Sequence, residues 1–198
     1  TADEIRTLIN EKTLEIILKT CDNSNYLSLC RSDKNEKLVV EMYNNVNIKI
    51  YELPILIDEI EPMVVPDDLE YDSIVNLSSK LFHTTCSSMQ SVTCEDFELK
   101  IKDNTLTMNS NSDLCTIQEI FKKNEENSEI KIPNVFKIIK NENDNSCKYG
   151  LKLVAIFSKL KSISDVLTIH VSEQYPLCLE YCFSTGKALF YVAPKIDD

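Results

Sequence analysis

Apolar residues recur at every third or fourth position in three segments of the chain. The segments are NEKTLEIILKTC at 10–21, SSKLFHTTCSSM at 78–89 and YGLKLVAIFSKLKS at 149–162. Because this spacing places the apolar side chains on one face of a helix, we predict three amphipathic helices. The helices begin about 70 residues apart, which indicates an internal repeat.

Three strands are predicted after each helix, from short segments rich in β-branched and aromatic residues. They are YLSLC, LVVEMY and VNIKIYEL after the first helix, FELKIK, TLTMNS and LCTIQEIF after the second, and VLTIHV, LCLEYCF and ALFYVA after the third. Turn sequences such as KDNT and STGK separate the strands, so each triplet is predicted to form an antiparallel meander. Repetition of this unit predicts an α+β fold with the helices in one layer and the sheets in another.

Two segments interrupt the repeat. The segment 55–73 contains Pro62 and Pro66, which exclude a regular helix or a central strand, and it predicts an extended acidic connector with MVV as its one apolar element. The segment 121–148 is charged and rich in Asn, with a candidate strand near 129–139.

The formal net charge of −11 argues against attraction of nucleic acid by the whole surface, but it allows a local basic face. Lysines seven residues apart stack on one helix face, about 20° out of register. These pairs are Lys12 with Lys19 and Lys152 with Lys159, while the middle helix offers Lys80 and His83. The opposite faces are predicted to be apolar, through Leu14, Ile17 and Leu18 in the first helix and Leu153, Ile156 and Leu160 in the third. Lysines on an exposed helix face usually only keep that face solvated. The alternative interpretation is a surface that binds DNA phosphate groups independently of base sequence.

The sequence offers little support for catalysis or metal binding. The chain has two glycines, so it has no glycine-rich phosphate loop, and its carboxylates lack a paired spacing. Its eight cysteines include no CxxC pair, which favours reduced thiols, and two histidines are too few for a typical zinc site. Cys178 and Cys182 are predicted to share one face of a strand. No membrane span, metal or cofactor is predicted.

Four segments resemble the eukaryotic sliding clamp family, proliferating cell nuclear antigen. They are YVAPKIDD at 191–198, YPLCLEYCF at 175–183, MVVPDDLEY at 63–71 and KDNTLTMNS at 102–110. The third helix also resembles the last inner helix of that clamp, whereas the resemblance is weak over 111–148. It implies a DNA-clamp fold and a ring, normally a homotrimer, that encircles duplex DNA with its helices lining the hole.

The resemblance implies sets of functional residues. DNA would be faced by Lys12, Lys19, Lys80, His83, Lys152 and Lys159. Client peptides would dock in a pocket lined by Met63, Val64, Val65, Pro66, Tyr71, Pro176, Tyr191, Ala193 and Pro194. Neighbouring subunits would pair through edge strands at 47–53 and 114–120, with Ile48, Ile50, Leu114 and Ile117 in the contact. Lys102 would accept a ubiquitin-type modification. Cys86, Ser87 and Gln90 stand where the family often has basic residues, which implies weaker attraction to DNA.

The same resemblance implies the domain organisation. Residues 1–56 would be the second half of the amino-terminal clamp domain, 57–72 the interdomain connecting loop, and 73–198 the carboxy-terminal domain. Since clamp subunits have four helix-and-meander units and three are predicted here, we expect the first half-domain to be missing through truncation, cleavage or incomplete observation.

The function implied is that of a nuclear processivity clamp, which is not an enzyme. It would be placed on duplex DNA by a clamp loader and would hold DNA polymerase and other proteins of replication and repair. The alternatives are a subunit of a heterotrimeric checkpoint clamp that acts at DNA damage, and a protein-interaction scaffold without a DNA role.

Overall fold

The computed structural model describes residues 8–23, 25–32, 36–56, 69–122 and 136–195. The chain divides into two units, unit 1 at Thr1–Val65 and unit 2 at Pro66–Asp198. The connector residues Met63, Val64, Val65 and Pro66 lie outside the described residues.

In its described residues, unit 1 packs one helix against a three-stranded antiparallel sheet of order β1-β2-β3. The elements are α1 (Glu11–Leu18), β1 (Tyr26–Ser32), β2 (Lys37–Tyr43) and β3 (Ile48–Pro54). The helix begins after Asn10, whose side-chain oxygen accepts a hydrogen bond from the backbone N–H of Thr13 at 3.0 Å. A small core forms where Ile17 meets Val40, Met42 and Leu53.

Unit 2 contains two α-helices, one 3-10 helix and nine strands in its described residues. The first half comprises β4 (Ser73–Ser78), α2 (Ser79–Ser91), β5 (Asp96–Lys102), β6 (Thr105–Asn111) and β7 (Thr116–Lys122). The second half comprises β8 (Phe136–Asn141), β9 (Asn145–Gly150), α3 (Leu151–Phe157), a 3-10 helix (Ser158–Ser162), β10 (Val166–Val171), β11 (Leu177–Phe183) and β12 (Gly186–Val192). The predicted α+β architecture of helices followed by antiparallel meanders is confirmed.

The strands of unit 2 form two antiparallel sheets that exchange one strand each. The five-stranded sheet has the order β12-β11-β10-β4-β8, and the four-stranded sheet has the order β7-β6-β5-β9. β4 leads directly into α2 yet pairs with β10, whereas β9 leads directly into α3 yet pairs with β5. The strand that precedes α2 therefore lies in the sheet formed by β10, β11 and β12. The strand that precedes α3 lies in the sheet formed by β5, β6 and β7.

One continuous core fills unit 2. Its largest fully buried side chains include Phe82 and Met89 from α2, Phe97 from β5, Tyr149 from β9 and Tyr181 from β11. Burial of each such side chain stabilises the fold by about 1.5–3 kcal/mol. Because both sheets contribute to this core, the halves of unit 2 depend on each other for burial.

Two sequence predictions about this unit are wrong. The order of one helix followed by three strands omits β4 and β9, which are short strands and carry several polar residues. The candidate strand near 129–139 overlaps β8, which begins at Phe136, and its residues before 136 lie outside the described residues. The third helix is not regular over 149–162, because it tightens into a 3-10 helix at Ser158. Lys152 and Lys159 therefore do not stack at the seven-residue spacing of one α-helix.

Candidate functional site

The exposed side of the helix layer in unit 2 carries lysines and no carboxylates. Lys80, Lys152, Lys159 and Lys161 are all exposed on α2, α3 and the 3-10 helix. Neither Ser79–Ser91 nor the segment 151–162 contains Asp or Glu, although 32 of the 198 residues are acidic. The local charge of this layer is therefore opposite to that of the chain.

His83 of α2 is bound to the 3-10 helix at the centre of this layer. Its Nδ1 lies 2.9 Å from the hydroxyl oxygen of Ser158, and that hydroxyl donates to the backbone oxygen of Ala155 at 2.8 Å. Burial lowers the pKa of His83, and the neighbouring Lys161 and Lys159 lower it further. The structure thus brings together three of the predicted residues, Lys80, His83 and Lys159.

The middle of α2 presents neutral side chains on the same side. Thr84, Ser87, Ser88 and Gln90 are exposed, whereas Cys86 is fully buried in the core. Of the three residues expected in place of basic ones, Ser87 and Gln90 therefore lie on this face and Cys86 does not. Charge on the layer comes from its ends and from the 3-10 helix.

Apolar side chains also reach this exposed side. Leu153 and Ile156, predicted to face the core, are 52% and 48% exposed. The core is contacted instead by Leu151, Val154 and Ala155. Because α3 begins directly after β9, the strand determines which face of the helix turns toward the core. The spacing of apolar residues alone does not determine that face.

The lysines of unit 1 have a different setting. Lys12 and Lys19 are exposed on α1, but the ammonium of Lys19 lies 2.7 Å from the carboxylate of Glu15. That contact lowers the pKa of Glu15. On the opposite face Ile17 is buried while Leu18 is 38% exposed, so the predicted apolar face is only partly covered. Much of the charge of Lys19 is therefore balanced within its own helix.

An aromatic cluster lies on the outer face of the five-stranded sheet. Tyr71 is 7% exposed, its ring centroid lies 5.3 Å from that of His170 and 5.8 Å from that of Tyr175, and its hydroxyl donates to the backbone oxygen of Pro176 at 3.1 Å. Burial raises the pKa of Tyr71. The structure thus joins two predicted pocket residues that are separated by more than a hundred positions in the sequence.

The floor beneath Tyr71 is a row across three strands. His170 on β10 stands opposite Cys178 on β11, which stands opposite Tyr191 on β12. Burial raises the pKa of Cys178 to about 11. Cys182 follows on the same strand and is exposed. Cys178 is therefore a packed part of this floor and not a reactive thiol.

The chain after β12 is fastened to the four-stranded sheet. Ala193 is exposed and Pro194 is half-buried. The backbone N–H of Lys195 donates to the oxygen of Lys148 at 2.7 Å, and its ammonium pairs with Asp96. These contacts fix the chain that follows Tyr191 and Val192 against the four-stranded sheet.

Hydrogen bonds to Asp72 hold Tyr71 in place. The carboxylate of Asp72 accepts from the hydroxyl of Ser172 at 2.6 Å and from the side-chain amide of Asn143 at 3.1 Å. Both bonds lower the pKa of Asp72. Ser172 also accepts from the backbone N–H of Gln174 in the turn before Pro176. Asp72 thus ties together the two segments whose residues meet at the Tyr71 hydroxyl.

The predicted interface strands are both sheet edges. β3 is an edge of the unit 1 sheet, where Ile48 and Ile50 are 67% and 59% exposed. β7 is an edge of the four-stranded sheet. Leu114 is 70% exposed but lies in the turn before β7, and Ile117 packs against the core. Unpaired edges with exposed apolar residues are typical of surfaces that bind another strand.

Lys102 ends β5 at a tight hairpin. The two loop residues Asp103 and Asn104 have φ values of 47° and 59°, as a two-residue turn of this kind requires. The Lys102 side chain is 58% exposed, and its ammonium lies 3.5 Å from Asp144. The side chain of Lys102 is therefore largely accessible to solvent.

A family model described as "Proliferating cell nuclear antigen, C-terminal domain" matches residues 65–196. The chain belongs to the proliferating cell nuclear antigen family. The resemblance predicted from the sequence is confirmed.

Two relatives support this assignment. The "Probable DNA polymerase sliding clamp" of Autographa californica nuclear polyhedrosis virus is 25% identical over 190 residues, which cover 95% of this chain and 70% of that protein. The crystal structure of the proliferating cell nuclear antigen of Entamoeba histolytica matches with a TM-score of 0.80 at 23% identity, over 95% of this chain and 71% of that chain. The predicted DNA-clamp fold is confirmed.

Sequence reasoning missed three residues of these surfaces in this member of the proliferating cell nuclear antigen family. Lys161 was overlooked because a regular helix was expected where the structure has a 3-10 helix. His170 and Cys178 are absent from the predicted pocket, yet both underlie Tyr71. The strand alternation places His170 and Cys178 opposite the core, which was a usable signal.

Proposed function

We propose that this protein is a sliding clamp that encircles duplex DNA and acts as a processivity factor for DNA polymerase. The observation that carries the proposal is the helix layer of unit 2, which presents four lysines and no carboxylate in a chain of net charge −11. Contacts from lysines to phosphate groups are independent of base sequence, as a protein that moves along DNA requires. The clamp is proposed to have no catalytic role.

The cationic side chains of the proposed DNA surface are spread over both units. Lys12 and Lys19 of α1 join Lys80, His83, Lys152 and Lys159 of unit 2, with Lys161 added from the structure. The contribution of Lys19 is expected to be small because Glu15 already pairs with it.

Client proteins are proposed to dock at the aromatic cluster. Tyr71, Pro176, Tyr191, Ala193 and Pro194 supply one part, and the connector residues Met63, Val64, Val65 and Pro66, outside the described residues, supply the other. A short peptide with aromatic side chains suits such a site, because buried aromatic contacts dominate binding energy. DNA polymerase and other proteins of replication and repair are the proposed clients.

The ring is proposed to be a homotrimer. Pairing of β3 with β7 of a neighbouring subunit would continue the sheets from one subunit to the next, with Ile48, Ile50, Leu114 and Ile117 at the contact. The exposed edge residues of β3 support this arrangement. A clamp loader would place the ring on DNA in the nucleus. The domain boundaries at 57–72 and the modification of Lys102 remain part of the proposal.

Charge reversal tests the DNA contact. The double variant Lys152→Glu and Lys159→Glu is compared with Lys100→Glu and Lys102→Glu, which make the same charge change on β5. Clamp-dependent DNA synthesis and retention on circular against linear DNA are measured. Loss of synthesis in the helix variant alone supports the clamp, whereas equal activity in both variants contradicts it.

Peptide titration tests the docking site separately. Tyr191→Ala is expected to weaken binding of a clamp-binding peptide by at least tenfold, which corresponds to about 1.4 kcal/mol. Tyr26→Ala, an exposed tyrosine of unit 1, is the matched control. Unchanged affinity of the Tyr191 variant would count against the pocket while leaving the DNA contact untouched.

A further inference from the structure

His83 is held in one orientation by a relay of hydrogen bonds. A serine hydroxyl carries a single hydrogen, and that of Ser158 is donated to the oxygen of Ala155 at 2.8 Å. The contact of 2.9 Å between the same oxygen and Nδ1 of His83 therefore needs its hydrogen from the imidazole. With the Ser158 hydrogen directed at Ala155, neutral His83 carries its hydrogen on Nδ1, and its Nε2 is left as a hydrogen-bond acceptor.

Charged groups around His83 are unevenly distributed. Lys159 and Lys161 approach it from the 3-10 helix, and Lys80 precedes it by one turn on α2. The buried side of α2 carries Cys86 and Thr85, and the hydroxyl of Thr85 donates to the carboxylate of Glu119 on β7 at 2.7 Å. On the exposed side, the described residues therefore place only cations next to the imidazole.

This arrangement disfavours a positive charge on His83 while the site is empty. Two ammonium groups and partial burial both disfavour a further positive charge. A phosphate group beside Lys159 and Lys161 reverses the balance, because it adds negative charge and an acceptor for an Nε2–H. Protonation of His83, which is unfavourable in the empty site, then strengthens the binding of the phosphate group.

We propose that His83, Lys159 and Lys161 form one phosphate-binding site, and that His83 takes up a proton from solvent at Nε2 when a DNA phosphate enters it. The inference rests on the proposed function of this helix layer as a DNA surface. It adds a contact whose strength depends on pH, next to lysine contacts that do not. With Nδ1–H engaged by Ser158, the added proton goes to Nε2.

Proton linkage of duplex binding tests the proposal. A short fluorescent duplex is titrated with the full chain at low salt, from pH 8 to about pH 6, the range in which histidine changes its charge. Each site that takes up a proton strengthens binding by up to about tenfold per pH unit. His83→Gln is expected to abolish this slope, while His170→Gln, a change of the only other histidine, retains it.

The outcomes separate the inference from the proposed function. Duplex binding that is independent of pH in the unchanged protein overturns the inference alone. Absence of duplex binding at every pH and low salt overturns the clamp proposal, and the inference with it. A second measurement needs no variant: NMR titration of His83 in the unchanged protein is expected to show a higher pKa when the duplex is present, and an equal pKa with and without duplex contradicts the proposal.

Discussion

Two buried tyrosines of unit 2 differ in one respect, and the difference predicts opposite effects of the same substitution. The hydroxyl of Tyr71 donates to the oxygen of Pro176 at 3.1 Å. Tyr181 is fully buried, and none of the described residues hydrogen-bonds its hydroxyl. Replacement by Phe removes a single oxygen atom at either position and leaves the ring in place.

The expected magnitudes follow from these environments. Tyr71→Phe loses a hydrogen bond and leaves a carbonyl group without its donor, which lowers the free energy of unfolding by about 1–2 kcal/mol. Tyr181→Phe removes a polar group that is buried without a partner, a situation that costs about 1–3 kcal/mol. The second variant is therefore expected to be more stable than the unchanged protein.

Urea unfolding monitored by circular dichroism measures both changes. The slope of the free energy against urea concentration should stay the same in each variant, because the surface exposed on unfolding is unchanged. The midpoint should fall for Tyr71→Phe and rise for Tyr181→Phe. A fall of similar size in both variants would refute the reasoning from hydrogen-bond satisfaction.

Three further predictions concern assembly, thiol reactivity and acid. Ile50→Asp on the β3 edge is expected to convert the assembly into monomers by mass in solution, whereas Ile139→Asp, an exposed isoleucine on β8, should preserve it; assembly of both variants would contradict the interface. Iodoacetamide should modify exposed Cys115 much faster than Cys178, whose burial and pKa of about 11 keep it a thiol at pH 8; equal rates by mass spectrometry would contradict the described packing. Hydrogen bonds from β6 and β9 lower the pKa of Glu98, so its stabilising effect is present above the pKa of the unfolded chain and is lost as pH falls through the lowered value. Glu98→Gln should flatten the fall in melting temperature below about pH 5, and an unchanged profile would show that this carboxylate is not involved.

Local signals explain which elements could be predicted. Asn10 and Ser78 cap the first two helices, so their starts lie within one residue of the predicted positions. The hairpin at Asp103 and Asn104 was marked by its turn sequence. β9 gave no such signal, since the sequence NSCKYG forms a strand only because β5 offers a partner edge.

The candidate sites depend more on tertiary contacts. Tyr71 and Pro176 could be paired in advance only through the family resemblance, because their contact joins two distant loops. Lys161 required knowledge of the 3-10 helix, and the protonation of His83 required the position of Ser158. The spacing of lysines along the sequence predicted a basic helix face. It did not predict that Lys161 adds to the charge of that face, or which nitrogen of His83 is protonated.

The exchange of β4 and β9 between the two sheets has a consequence for a cut chain. A break between β7 and β8 would separate β4 from its partners β8 and β10, and β9 from its partner β5. Neither part of unit 2 could then complete its own sheet, so each part alone should remain unfolded. Mixing the two parts should restore the structure. Unit 2 therefore offers a natural split point for fragment complementation, in which recovery of the fold reports that the two pieces have met.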